Sequence, residues 1–168
     1  MRILIILICS LSTISKSQNL NIENIRKEYL KVNSDSASCA KLFQKINKQT
    51  CTNNIEIAYN GAITATMANY PKNKLEKLKL FNIGKNKIEQ SLSNDPKNLE
   101  LHFIRFTIQS MCPKILGYSK EIESDKNYIF CNFEKETNQQ LKINILNFLS
   151  ASSSLTESEK KKLKSIHK

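Results

Sequence analysis

From residue 21 onward the apolar residues of this chain recur every three to four positions, the repeat of helices with one buried face. Asn21 to Val32 (NIENIRKEYLKV) places Ile22, Ile25, Tyr29 and Val32 on one side, and the cap-rich NSDS follows. A second segment, about Ser36 to Gln49, aligns Cys39, Leu42, Phe43 and Ile46 before TCTNN breaks it. The third, Asn54 to Asn69, is rich in small residues. Ala58, Gly61, Ala62, Ala65 and Ala68 recur at helical spacing beside a bulkier stripe of Tyr59, Ile63 and Met67. A helix lined this way lets neighbouring backbones come close, so it is expected at the centre of the fold, gripped on two sides.

Pro71 ends that helix, and a long segment to about residue 94 carries Leu75, Leu78, Phe81, Ile88 and Leu92 as its apolar stripe. A glycine inside a helix costs about 1 kcal/mol against alanine, so Gly84 is expected where another helix crosses. Next comes Asp95-Pro96-x-Asn98-x-Glu100. Pro96 cannot continue the preceding helix and suits the first turn of the next, where Glu100 would favour the helix dipole. The motif predicts a corner between antiparallel helices.

The helix after the corner, about residues 98–111, is apolar almost all round and should be buried. Its polar residues Asn98, His102, Arg105 and Gln109 share one stripe. After CPKILGY come helices from Glu121 to about Phe133 and from about Leu141 to Leu149. Thr156-x-x-Glu159 then opens a basic terminal helix with a capping box.

The corner resembles a tetratricopeptide-repeat junction. Ser91, Ile88 and Gly84 stand five, eight and twelve residues before Pro96, where the repeat's second helix takes small, large and small residues. The preceding helix lacks the repeat's aromatic-Leu-Gly-aromatic series, and no second copy shows at the repeat's period. A longer resemblance runs through Tyr59-x-Gly61-Ala62, Lys77-Leu78-x-x-Phe81-x-x-Gly84, the Asp95-Pro96 motif, Pro113-x-x-Leu116-x-Tyr118 and Asp125. In these the chain is similar to a family of small exported helical proteins from Bacteroidetes. The resemblance implies fold and export and carries no chemistry. The family pattern has two arginines after the corner; His102 replaces the first and Arg105 keeps the second, so any paired basic site is altered here.

Composition narrows the class. Three Gly, three Pro and no Trp leave too little turn chemistry for a β-rich fold. Met1-Arg2, the apolar run Ile3 to Cys9 and the small residues Ser15 and Ser17 read as a secretory leader, with cleavage expected after Ser17. That apolar run is far short of the roughly 20 residues of a membrane span, and no other stretch is long enough. The protein is therefore expected in the periplasm or outside the cell. The formal charge is +11, which falls to +9 when Arg2 and Lys16 leave with the leader. Only three of the 26 basic residues are Arg, so the charge argues for attraction to anionic surfaces and against nucleic acid. Cys39, Cys51, Cys112 and Cys131 remain, open either to disulfide pairing or to free, buried thiols.

No motif supplies catalysis. There is no Gly-x-Ser-x-Gly elbow, no His pair at metal-binding spacing and no Gly-rich phosphate loop, so no cofactor and no metal are expected. His102, Arg105 and Gln109 are the leading candidates for a partner-facing surface, with Tyr59, Asn60 and Tyr118 behind them. The competing reading of Arg105 pairs it with an acid such as Asp125 or Glu100, because an unpaired buried guanidinium is costly. That structural role is the better supported of the two. The resulting expectation is an all-α domain over residues 18–168, with six or seven helices paired antiparallel in a short right-handed tetratricopeptide-like array. It would be a monomeric, non-enzymatic envelope protein holding a peptide or protein partner in the groove lined by helix 98–111. Two other functions compete: an exported hydrolase or accessory factor with an unrecognised site, and an electrostatic binder of anionic surface polymer.

Overall fold

The computed structural model describes residues 21–33 and 35–166; the leader expected at residues 1–17 lies outside the described residues. The helices are α1 (Ile22–Tyr29), α2 (Ser36–Asn47), α3 (Asn54–Met67), α4 (Lys74–Asn94), α5 (Leu99–Met111), α6 (Ile122–Asn132), α7 (Gln139–Ala151) and α8 (Glu157–Ile166). Short 3-10 turns follow α1, α5 and α6, and there is no strand among the described residues. Eight α-helices lie among the described residues, against the expected six or seven. The terminal segment forms α8, where Leu163 docks into the core and the capping box closes. Thr156 N donates to Glu159 Oε2 at 2.7 Å while Glu159 N donates back to Thr156 Oγ1 at 3.3 Å. No helix among the described residues is long and apolar enough to cross a membrane.

The abundance of Asn has a local use. Asn21, Asp35, Asn53, Asn73, Asn98 and Asn138 each stand at a helix start and accept a backbone N–H that has no partner inside the helix. At the corner between α4 and α5, Asn98 is the cap, accepting from Glu100 N at 3.0 Å and Leu101 N at 3.4 Å. Pro96 therefore sits in the turn, two residues before the cap, and not in the first turn of α5. Asn98 Nδ2 also donates to Asp95 Oδ2 at 2.9 Å, which tightens the bend.

α3 and α4 form the closest pair, and their cross-links run in opposite directions along the chain. Asn94 meets Asn54, Lys87 meets Asn60 and Lys77 meets the carbonyl of Asn69. Midway, two glycines touch. A Cβ on Gly61 would lie 2.6 Å from the carbonyl oxygen of Gly84, and a Cβ on Gly84 would lie 2.5 Å from the amide nitrogen of Ala65. The crossing thus requires glycine on both helices, as the small-residue pattern implied.

α5 lies between two apolar clusters. Leu101, Ile104 and Ile108 join the residues of α1–α4, while Leu99, Phe103 and Phe106 join those of α6, α7 and α8. An apolar helix needs neighbours on every side, and this one has them.

Candidate functional site

Helix α5 carries its polar groups into the interior, where Glu100, His102 and Arg105 meet partners on the neighbouring helices. On the side facing α6, the Arg105 guanidinium clasps Asp125 with two hydrogen bonds, from Nε to Oδ2 at 2.7 Å and from Nη2 to Oδ1 at 2.8 Å. Its Nη1 donates to Glu89 Oε2 of α4 at 3.0 Å. Burial opposes the Arg105 charge, but the hydrogen bonds and charge of Asp125, helped by Glu89, hold its pKa above the ordinary value. Asp125 is fully buried, and Arg105 is 9% exposed.

His102 belongs to the same set. Its Nδ1 lies 2.7 Å from Asp125 Oδ1 and its Nε2 lies 2.9 Å from the Pro96 carbonyl oxygen. A carbonyl can only accept, so Nε2 carries a proton. The ring stacks on Tyr128 at 3.9 Å, and Tyr128 in turn donates to the Lys97 carbonyl at 2.7 Å. His102 thereby fastens the α4–α5 corner to α6. Tyr118 closes the network from the loop after α5, donating to Glu89 Oε1 at 2.7 Å. Burial first, and the Glu89 carboxylate second, push its phenol well above the ordinary range.

The opposite side of α5 holds a second buried pair. Arg26 of α1 donates to Glu100 through Nε at 2.7 Å and Nη2 at 2.6 Å, and also bonds Glu23. Tyr59 donates to the same Glu100 at 2.8 Å and is fully buried against the edge of Tyr29. Asn60 ties three helices, donating to Asn47 at 3.1 Å and accepting from Lys87 Nζ at 2.6 Å.

The six residues singled out in sequence therefore do not share one surface. His102, Arg105 and Tyr118 join one buried network, Tyr59 belongs to another, and Asn60 to a third group of bonds. Gln109 is 3% exposed, and its Oε1 has no hydrogen-bond partner among the described residues. The stripe expected on an open concave face is covered, because α6 packs along that side of α5 and supplies Asp125. Arg105 has Asp125 as its partner, whereas Glu100 serves Arg26.

Exposed apolar surface gathers elsewhere. Beyond the α3–α4 crossing, a cavity of about 480 Å³ opens between the end of α3, the start of α4 and the end of α5. Its walls include Ala65, Ala68, Leu78, Phe81, Ile108 and Met111. The 3-10 turn after α5 adds Ile115 and Leu116, and Cys112 lines it as well. Ile115 is 94% exposed, Leu78 44% and Met111 43%, while Leu75, one turn before Leu78, is 77% exposed. Sequence periodicity had placed Leu75 and Leu78 on the buried stripe of α4. They are uncovered because α4 has 21 residues and α3 only 14, so the first turns of α4 overhang the end of their partner. A pocket of this size falls within the roughly 300–1,000 Å³ of small-molecule sites, and clustered exposed apolar side chains mark interaction surfaces.

All four cysteines of the described residues are free thiols. Burial pushes the Cys39 thiol up to about 11, and raises Cys112 and Cys51 as well. No group of three or more His, Cys, Asp or Glu residues capable of holding a metal is present among the described residues. Comparison with family models, with curated proteins and with solved structures finds no match.

Proposed function

We propose that this protein is a non-enzymatic binding protein of the cell envelope, and that the apolar pocket between α3, α4 and α5 is its binding site. The observation that carries this reading is the uncovered cluster of Leu78, Met111 and Ile115 around a concave apolar wall. Leaving such groups in water costs about 25 cal/mol per Å², which a partner's apolar group would recover on binding. The polar stripe of α5 is buried, with His102 and Arg105 bound to internal partners, so the contact with a peptide or envelope protein, expected there from sequence, moves to this pocket.

The proposed architecture is a short right-handed tetratricopeptide-like array. Its support is the α4–α5 corner, where Ser91 and Ile88 are fully buried and Gly84 stands at the helix crossing. The proposed location is outside the cytoplasm, on the strength of the apolar run Ile3 to Cys9 behind Arg2. Finding Gln18 as the N-terminal residue of the protein recovered from its host would support export; an intact Met1 would argue against it.

The pocket is tested with an environment-sensitive apolar dye. The unaltered protein is expected to bind it, and Leu78→Asp and Met111→Asp are expected to abolish binding while keeping the same helical content and thermal unfolding. Undiminished dye binding by both folded variants would place the site elsewhere.

A further inference from the structure

The rim of the pocket says more about its ligand than the walls do. Among the described residues, Lys74 and Lys77 are the charged ones lining the cavity, and no Asp or Glu lines it. Neither lysine is ion-paired among the described residues, and Glu76, between them in sequence, is not part of the lining. Lys77 Nζ makes one exposed bond, to the Asn69 carbonyl at 3.3 Å, which a better acceptor could displace. Residues three apart on a helix are neighbours, about 5–6 Å between Cβ atoms, so both ammonium groups can reach one head group. The rest of the wall is aliphatic, aromatic or small, with Thr66 and Asn69 as its uncharged polar members.

We propose that the ligand of this pocket is a single-chain amphiphile with an anionic head, a long-chain carboxylate being the simplest member, taken up as a dissolved monomer. The proposal rests on the pocket being the binding site, and adds the class of ligand. The chain lies against Phe81, Ile108 and Met111, and the carboxylate sits between Lys74 and Lys77 at the mouth. Opposite charges at this solvent-exposed mouth attract modestly, enough to favour an anionic head over an uncharged one.

Cys112 supplies a reporter inside the wall, and Cys131, exposed on α6, supplies a control. The purified full chain is titrated with dodecanoate, with glycerol monododecanoate as the same chain under an uncharged head, and with dodecyltrimethylammonium, all below their micelle-forming concentrations. Binding is followed by calorimetry and by the rate of maleimide alkylation at each cysteine. Dodecanoate is expected to bind about tenfold more tightly than the uncharged ester, since two exposed ion pairs contribute modestly each. It should slow alkylation of Cys112 and leave Cys131 unchanged. In the double variant Lys74→Gln/Lys77→Gln the preference should vanish while the ester still binds.

Equal binding of carboxylate and ester would overturn the head-group assignment and leave the pocket standing as the site. Attachment to anionic vesicles without binding of dissolved dodecanoate would overturn it in favour of a membrane surface. Protection of Cys112 by an apolar peptide, with no amphiphile bound, would overturn it in favour of a peptide partner. Failure of every apolar probe to protect Cys112 would remove the pocket itself.

Discussion

The first half of α5 and its C-terminal end show opposite uses of a helix. Over the first half, Glu100, His102 and Arg105 are polar, buried and matched with partners on α1, α3, α4 and α6. At the end, Ile108 and Met111 face a cavity that no element among the described residues covers. The contrast teaches that charge on a helix face is a poor guide to where a partner binds. A buried charge that has found its counter-charge is spent on architecture, whereas an apolar side chain left in water is available.

The comparison is tested most severely at Asp125. Removing one partner from a buried ion pair costs about 3–5 kcal/mol, because the other charge stays in the interior. Asp125→Ala is expected to lose that much in urea unfolding, with Arg105 and His102 both deprived of a carboxylate. A loss below about 1 kcal/mol would show that the first half of α5 is open to water and not sealed.

The thiols separate the regions by pH. The folded state holds Cys39 at about 11 against an ordinary value of 9.0, so the unfolded chain releases its proton first as pH rises. Stability from this group is fully present below pH 9.0 and falls through about 11, by roughly 2–3 kcal/mol. Cys39→Ala should flatten the fall in unfolding free energy across that window. Alkylation of Cys39 should require unfolding, whereas Cys112 should react in the folded protein through the pocket.

A third test addresses the crossing that leaves the overhang. Gly84→Ala gains about 1 kcal/mol of helix propensity but places a Cβ against the backbone of α3, where overpacking costs about 1–3 kcal/mol. A net loss of up to about 2 kcal/mol is expected in chemical denaturation. A gain in stability would mean that α3 and α4 can separate at Gly61, and the pocket beyond them with it.

The smallest effect belongs to the mouth. Ile115→Ser and Leu75→Ser should leave unfolding free energy within about 0.5 kcal/mol of the original, since both side chains are exposed. Ile115→Ser should nonetheless weaken apolar dye binding, whereas Leu75, which does not line the pocket, serves as the control. A large loss of stability from either would mean that these side chains are packed and not waiting for a partner.

Local patterns in the sequence determined much of this protein: its helical class, the corner at Asp95-Pro96, the capping box at Thr156 and the close approach at Gly84. Each depends on residues within a turn or two of one another, where backbone hydrogen bonding and the absence of a side chain decide the outcome. Arg105 could also be assigned a structural role, because a guanidinium in an apolar helix must find an acid. Only the tertiary structure chose Asp125 over Glu100, gave Glu100 to Arg26, and joined Glu89 to Tyr118. The exposure of Leu75 and Leu78 was equally hidden, since their spacing matches that of buried residues further along α4. Periodicity reports which face of a helix is apolar; whether that face is covered depends on the length and register of its neighbours, and those are set by contacts between residues far apart in the chain.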